Sequence, residues 1–165
     1  MGMEETAVEK EIKKERKEME KNPSIYDLLK LEHKDVKNLF KQILGKDSFQ
    51  ENIYGQIRKA LTFHMDGEEK FVYPRLQNAP ATKVATLEAL EEHDVAKKVM
   101  ADIDDSPDAD TKLAKLKVLS DTINKHIDEE EGNLFKKSKK VLSSFDEHDL
   151  ARQFMTDKMN KIPAA

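Results

Sequence analysis

The chain has 165 residues, of which 38% are hydrophobic and 38% are charged, and its formal net charge at pH 7 is −4. This length suits one compact domain with its own core, and the interspersed charges of both signs argue against a nucleic-acid footprint. The absence of cysteine excludes disulfides, thiolate metal sites and cysteine nucleophiles, and no apolar run approaches the roughly 20 residues that cross a bilayer.

Residues 1–23 form a charged lead-in segment. Glu and Lys dominate it, and its few apolar residues, such as Ile12 and Met19, make only a thin stripe. A helix held by Glu–Lys pairs is one interpretation. We favour a largely solvated segment that ends at Asn22 and Pro23.

Apolar residues then recur at helical spacing in four stretches of residues 24–142, whereas strand signals are weak. The predicted helices run over about residues 25–44, 49–77, 81–104 and 107–142. We expect N-caps at Ser24, Ser48 and Ser106, with Pro107 at the first position of the fourth helix. The short loops predict an all-α, up-down-up-down four-helix bundle.

Residues 143–165 form a C-terminal helix and tail. The stretch from Ser143 to His148 indicates a turn and a helix cap, and Leu150, Phe154 and Met155 follow at helical spacing. We expect this helix to pack outside the bundle.

Each bundle helix places one histidine at mid-length on its apolar stripe, and two of them add a glutamate one turn later. On the second helix the shared face comprises Ile57, Leu61, His64, Glu68, Phe71 and Val72. The complete set is His33, His64, Glu68, His93, His126 and Glu130. A buried carboxylate needs a cation or hydrogen-bond donors to offset its lost hydration. Residues at mid-length of antiparallel helices lie at similar depth, so the six side chains can converge as a metal cage.

The ligand types narrow the choice of metal. Four imidazoles and two carboxylates suit iron, manganese or zinc. Six protein ligands exceed the four of one tetrahedral zinc ion, so we favour a dinuclear centre.

Over about residues 25–142 the sequence resembles the hemerythrin-like HHE cation-binding domains. The order His, His-x-x-x-Glu, His, His-x-x-x-Glu carries the resemblance, in segments 31–34, 64–74, 92–94 and 126–135. The resemblance implies a non-heme di-iron centre with an oxo or hydroxo bridge, and it ranks iron ahead of manganese and zinc. It also implies that the four histidines are terminal ligands and that Glu68 and Glu130 bridge the metals.

Two departures separate the chain from the oxygen-carrying hemerythrins. Those proteins have a second histidine where this chain has Lys97, and their fourth-helix carboxylate comes five positions after its histidine, where this chain has both Glu130 and Glu131. The pattern is similar to the bacterial hemerythrin-like and iron–sulfur-repair branch. One fewer histidine leaves roughly two of about 12 coordination positions open, which favours turnover of oxygen, peroxide or nitric oxide over reversible oxygen carriage.

Five further polar residues are candidates for the surroundings of the site. We expect Glu69 and Glu131 to lie outside the metal ligands, Tyr26 to pack in the core, and Lys97 and His148 to face water.

The expected partners are a small-molecule ligand and an electron-donor protein, with a cytoplasmic location, no nucleic-acid or membrane partner, and a monomer as the default. Iron sensing, iron delivery or iron-centre repair would use the same site. A metal-free structural bundle and a histidine phosphotransfer module are alternatives from other classes. The phosphotransfer module needs one exposed histidine, which four histidines on apolar stripes argue against.

Overall fold

The structure is a computed structural model that describes residues 6–162, and within this range it is helical with no strand. The α-helical segments are α1 (Ala7–Glu20), α2 (Ile25–Leu44), α3 (Glu51–Gly67), α4 (Tyr73–Gln77), α5 (Lys83–Asp104), α6 (Ala109–Glu129), α7 (Phe135–Ser138) and α8 (Ser144–Lys161). The predicted all-α fold is confirmed.

Two π-helical turns join segments of the same long helix. The first turn, Glu68–Val72, connects α3 to α4, and the second, Glu130–Leu134, connects α6 to α7. The four bundle helices are therefore α2, α3 with α4, α5, and α6 with α7. Helix α2 packs on α3 and α5 packs on α6, which confirms the predicted bundle.

The predicted N-caps of the first two bundle helices had different outcomes. Ser24 caps α2, because its side chain accepts a hydrogen bond from the backbone NH of Asp27 at 3.2 Å. Ser48 does not cap α3. Its hydroxyl accepts a hydrogen bond from the side chain of Gln50 at 2.9 Å, and α3 begins after Gln50 without a side-chain cap.

The predicted start of the fourth bundle helix is wrong by two residues. The Ser106 hydroxyl donates a hydrogen bond to the carbonyl of Asp102 at 2.6 Å, so its side chain bonds to the last turn of α5. Asp108 caps α6 instead and accepts a hydrogen bond from the NH of Thr111 at 2.8 Å. Pro107 consequently lies in the loop between the helices.

The two terminal helices lie against each other and against one flank of the bundle. Helix α8 has 18 residues, begins with a capping box at Ser143, and contacts α2 and α3. The lead-in is mostly exposed, as we expected, but it is a helix with a specific docking site. Its Glu15 is buried and lies 2.7 Å from the ammonium of Lys158 on α8.

The apolar core consists of two clusters separated by the layer of histidines. On α2 and α5 the two clusters lie on opposite sides of the histidine. On the other two bundle helices they divide after Met65 and Ile127, one residue beyond each histidine. The polar layer therefore lies between two layers of aliphatic and aromatic side chains. Among residues 6–162, no helix combines the length and apolar character needed to span a membrane.

Candidate metal centre

The structure brings all six candidate ligands together in the middle of the bundle. Each of them is buried, and Glu68 has no exposed surface. Their donor atoms form two groups that could each hold a metal ion. One group contains His33, His64, Glu68 and Glu130, and the other contains Glu68, His93 and His126.

The first group is centred on the histidines of α2 and α3. The Nε2 atoms of His33 and His64 lie 3.1 Å apart. Glu130 Oε2 lies 3.2 Å from His33 Nε2, and Glu68 Oε1 lies 3.3 Å from His64 Nε2. Two imidazole nitrogens and two carboxylate oxygens therefore face a common point.

The second group is centred on the histidines of α5 and α6. The Nε2 atoms of His93 and His126 lie 3.2 Å apart. Glu68 Oε2 lies 3.2 Å from His93 Nε2, and Glu130 Oε2 lies 3.7 Å from His126 Nε2. Glu68 thus presents one oxygen to each histidine pair, as a carboxylate that spans two metal ions does.

The chemistry of this donor set fits metal ions. Glu68 Oε1 and Glu130 Oε2 are buried and receive no hydrogen bond from any described residue, which is costly unless a cation compensates them. Imidazole nitrogens together with carboxylate oxygens form a donor set that iron, manganese or zinc accepts.

Each candidate bridging glutamate begins a π turn. The backbone NH of Tyr73 bonds to the carbonyl of Glu68, and that of Phe135 bonds to the carbonyl of Glu130. Five residues span about 1.4 turns of an α-helix but roughly one turn when bonds run from i to i+5. Tyr73 therefore returns to the face of Glu68, and Phe71, which helical spacing placed on that face, is only partly buried.

Tyr73 lies between the two candidate bridging carboxylates. Its hydroxyl is 3.1 Å from Glu68 Oε2, 2.9 Å from Glu130 Oε1 and 3.3 Å from His93 Nε2. Burial, together with the negative charges of Glu130 and Glu68, raises the pKa of Tyr73 well above its ordinary value. The phenol is neutral, and its one proton can be donated to only one carboxylate at a time.

A ring of outer carboxylates orients the four imidazoles. Each histidine donates a hydrogen bond from Nδ1 to a glutamate on a neighbouring bundle helix, which leaves Nε2 free of a proton for a metal. The distances are 2.8 Å for His33–Glu131, 3.2 Å for His64–Glu32, 2.9 Å for His93–Glu69 and 2.8 Å for His126–Glu92.

Two of the four outer carboxylates were expected near the site, and the other two were not predicted. Glu69 and Glu131 lie just outside the candidate ligands, as expected. Glu32 and Glu92 were missed, although each directly precedes a candidate histidine. The repeated Glu-His pair was the signal that could have identified them.

Lysines hold three of these outer carboxylates. Lys97 is not a free, solvated lysine, because its ammonium lies 2.7 and 2.8 Å from the two oxygens of Glu69. Lys125 lies 3.3 Å from Glu92, and Lys158 lies 3.7 Å from Glu32.

Two other expectations concern residues away from the centre. Tyr26 packs in the core as expected, and its hydroxyl accepts a hydrogen bond from Ser138 at 2.8 Å. His148 does not simply face water. It is half-buried and its Nδ1 donates to the carbonyl of Pro23 at 3.1 Å, because α8 packs over the start of α2.

The metal-free centre is an array of opposite charges. Burial disfavours the charged form of His64 and His93, but neighbouring carboxylates outweigh it, raising the pKa of His64 well above its usual value and that of His93 to about 9. Burial likewise opposes ionisation of Glu68, yet His64 and His93 hold the pKa of Glu68 well below its usual value. The hydrogen bond from His126 lowers the pKa of Glu92 to about 2.

Comparison with known proteins agrees with this architecture. A family model described as hemerythrin HHE cation binding domain matches residues 24–138. A "DNA nickase" of Nostoc sp. strain PCC 7120 is 29% identical over 138 residues, which cover 82% of this chain and 39% of that protein. The chain therefore spans about two fifths of the length of this relative. No solved structure matches the chain. The extent of the family match shows that the chain belongs to the hemerythrin HHE cation-binding domain family.

Proposed function

We propose that the protein is a non-heme di-iron protein that binds or turns over oxygen, peroxide or nitric oxide at its four-histidine, two-glutamate centre. The observation that carries this proposal is the position of Glu68. Its two oxygens lie 3.3 and 3.2 Å from histidines of different pairs, which is the arrangement of a ligand shared between two metal ions.

The six residues divide between two ions. His33 and His64 would hold one ion and His93 and His126 would hold the other. Glu68 and Glu130 would be the carboxylates available to both, since each lies near a histidine of either pair. Imidazole nitrogens suit iron and zinc, whereas carboxylates suit harder ions, and membership of the hemerythrin family favours iron over manganese or zinc. Bound iron would supply redox chemistry and open coordination positions for a small ligand.

The chain itself supplies orientation, a proton and apolar surroundings. The outer glutamates fix the Nδ1 protons and so aim each Nε2 at the centre. Tyr73 holds the one hydroxyl proton between Glu68 and Glu130. The two apolar clusters border the histidine layer on two sides.

The test is to load the protein anaerobically with ferrous iron and expose it separately to oxygen, hydrogen peroxide and nitric oxide. We expect near-ultraviolet absorption to appear and, once a chemical reductant is added, catalytic consumption of at least one of the three. Bands that vanish when oxygen is removed would instead favour carriage, and no spectral response to any of the three would overturn the proposal.

The partner expectations extend the same proposal. Repeated reduction of these molecules needs an electron donor, and we expect that donor to be a protein. A cytoplasmic location and a monomeric state remain predictions. Iron sensing or delivery would use the same ligands but would require labile iron. The rate at which a chelator removes iron from the loaded protein distinguishes a sensor or carrier of iron from an enzyme that retains it.

A second candidate function is DNA nicking, which the name of the Nostoc relative raises. The match covers most of this chain but less than half of that protein, so the nicking activity could belong to the part that this chain does not match. Conversion of supercoiled plasmid to open circles by the iron-loaded protein, but not by Glu68→Leu, would support nicking at this centre.

A further inference from the structure

The bundle consists of two similar halves, and a comparison of the halves reveals one open flank. A Glu-His pair followed by His-x-x-x-Glu-Glu occurs at positions 32–69 and again at positions 92–131. The first half comprises α2, α3 and α4, and the second comprises α5, α6 and α7. Each position beside one histidine pair therefore has a counterpart beside the other pair.

The flank of the first half is closed by apolar side chains. Ile25, Leu28 and Leu29 of α2 are buried there. Helix α8 also covers this flank, because Phe154 packs so closely on Gly67 that a Cβ at that position would overlap its ring. The same ring lies 6.5 Å from the ring of His64.

The flank of the second half is open. The counterparts of the three apolar residues are Ala85, Glu88 and Ala89, and the counterpart of Gly67 is Glu129. A cavity of about 210 Å³ lies at this place and reaches two of the candidate ligands, His126 and Glu130. The second half thus has small and charged residues where the first half has large apolar side chains and contact with α8.

The outer end of the cavity carries three carboxylates. Oxygen atoms of Glu88, Glu92 and Glu129 lie within 4.8 Å of one another. Lys125 lies 3.3 Å from both Glu92 and Glu129, but its ammonium is mostly exposed and the three carboxylates outnumber it. Carboxylate oxygens grouped in this way are ligands for divalent cations.

The inner end of the cavity offers a second, independent feature. Glu130 is buried, and its Oε2 receives no hydrogen bond from any described residue. Glu130 lines the cavity, and a buried carboxylate oxygen without a hydrogen bond attracts positive charge. The path from the surface to the centre therefore has cation ligands at both ends.

We infer that Glu88, Glu92 and Glu129 form an entry site that binds a divalent cation weakly and passes it through the cavity to His126 and Glu130. This inference rests on the proposed function, since it concerns how the buried centre acquires its metal. The entry site increases the local concentration of the cation and is not part of the final coordination. Its loss should slow loading without reducing the final metal content.

The test uses the full metal-free chain and ferrous iron under anaerobic conditions. Samples are quenched with a chelator at successive times, and the iron that resists the chelator is measured. In Glu88→Gln/Glu129→Gln we expect the initial loading rate to fall by about tenfold, since charge focusing in clefts changes association rates by at least this factor. Glu92 is left unchanged because it also orients His126.

A charge-matched control separates the entry site from the general field of the protein. Glu91→Gln/Asp121→Asn removes one exposed carboxylate from each of the same two helices outside the cavity, and it should load at the wild-type rate. A steric variant, Ala85→Ile, copies Ile25 of the closed flank and should also slow loading. Circular dichroism and thermal unfolding of each variant report whether the fold is intact.

The outcomes distinguish this inference from the proposed function. Equal loading rates for Glu88→Gln/Glu129→Gln and the charge-matched control would overturn the entry site, even when the wild type binds two irons. A lower final iron content at an unchanged rate would also overturn it, because the residues would then belong to the permanent site. Failure of the wild type to retain any iron would contradict the proposed function itself.

Discussion

The hydroxyl of Tyr73 lies 3.1 Å from Oε2 of Glu68, although the two residues are five positions apart on one helix. The π turn that begins at Glu68 makes this contact possible. The counterpart of Tyr73 in the other half is Phe135, which stacks on His33 and has no hydroxyl. The two halves of the centre therefore differ by one proton donor.

Tyr73→Phe tests this hydroxyl. We expect the unfolding free energy of the metal-free protein to fall by about 1.5–3 kcal/mol, because a buried hydrogen bond to charged groups is lost. Iron content should not change, because no candidate ligand is removed. Denaturant unfolding and metal analysis measure the two effects. Tyr26→Phe is the control for a buried tyrosine away from the centre, and wild-type stability of Tyr73→Phe would argue against the bond.

Glu68→Leu removes the carboxylate shared by both groups of ligands. In the metal-free protein Glu68 is paired with His64 and His93, but these imidazoles can stay neutral once the carboxylate is removed, so the metal-free variant should fold. It should lose the stabilisation that metal gives the wild type, which is about 2.7 kcal/mol when the metal concentration is 100 times its dissociation constant. Thermal unfolding with and without metal measures this difference. An equal shift of Tm in both proteins would show that Glu68 is not a ligand.

The raised pKa values of His64 and His93 predict that metal binding displaces protons. Apparent metal affinity should therefore rise with pH up to about 9, the pKa of His93 in the folded protein. Calorimetry in buffers of different ionisation enthalpy measures the protons released. Affinity that does not vary over this range would contradict the charged array.

The same shifts predict how the stability of the metal-free protein depends on pH. A raised histidine pKa contributes stability that is present below the unfolded value and is lost as pH rises through the folded value. The lowered pKa of Glu68 contributes stability that is lost on acidification. The metal-free protein should therefore lose stability as the pH rises towards and beyond 9, whereas the metal-loaded protein should lose less.

A chain of charges links the lead-in helix to the centre. Lys158 lies 2.7 Å from Glu15 and 3.7 Å from Glu32, which in turn accepts a hydrogen bond from His64. Lys158→Met would take the cation away from the buried Glu15 and leave Glu32 with its hydrogen bond from His64, so it should cost up to about 3 kcal/mol of unfolding free energy.

The more exposed Lys161 provides the control for that variant. Lys161→Met removes a lysine from the same helix whose one ion-pair partner among residues 6–162 is Asp157, so it should cost less than about 1 kcal/mol. Adding Glu15→Leu to Lys158→Met should recover part of the loss. Equal unfolding curves for the two lysine variants would show that the charged pairs of Lys158 do not stabilise the protein.

Two glycines near the centre should respond in opposite ways to alanine. Gly67→Ala places a Cβ against the ring of Phe154, so α8 must shift, and we expect a loss of about 1–3 kcal/mol. Gly132→Ala meets no atom within 4 Å and should stabilise the helix by roughly 0.5–1 kcal/mol. Chemical unfolding of both variants provides the comparison, and a stabilising Gly67→Ala would contradict the close packing of α8.

Helical periodicity predicted the four helices and the convergence of the histidines, because each histidine lies within a regular α-helical stretch. The same periodicity failed beyond Glu68. The π turn shifts the face of the helix, so Tyr73 replaces Phe71 beside the centre. Hydrogen bonds that run from i to i+5 instead of i to i+4 leave no simple trace in the spacing of apolar residues.

The roles of the outer carboxylates and the start of α6 depend on contacts that residue spacing alone does not reveal. Glu32 contacts a histidine of the next helix, so the register between helices determines its role. Ser106 looked like an N-cap, but its hydroxyl bonds back to α5. In both cases the partner of the side chain depends on how the helices are placed in the folded protein.

The iron content of the wild-type chain after anaerobic loading and removal of free metal tests the central claim most directly. If Glu68 joins two metal positions, each chain should retain two irons, and Glu68→Leu should not retain this stoichiometric pair. Retention of one iron would contradict the dinuclear centre. Retention of none would identify the bundle as metal-free.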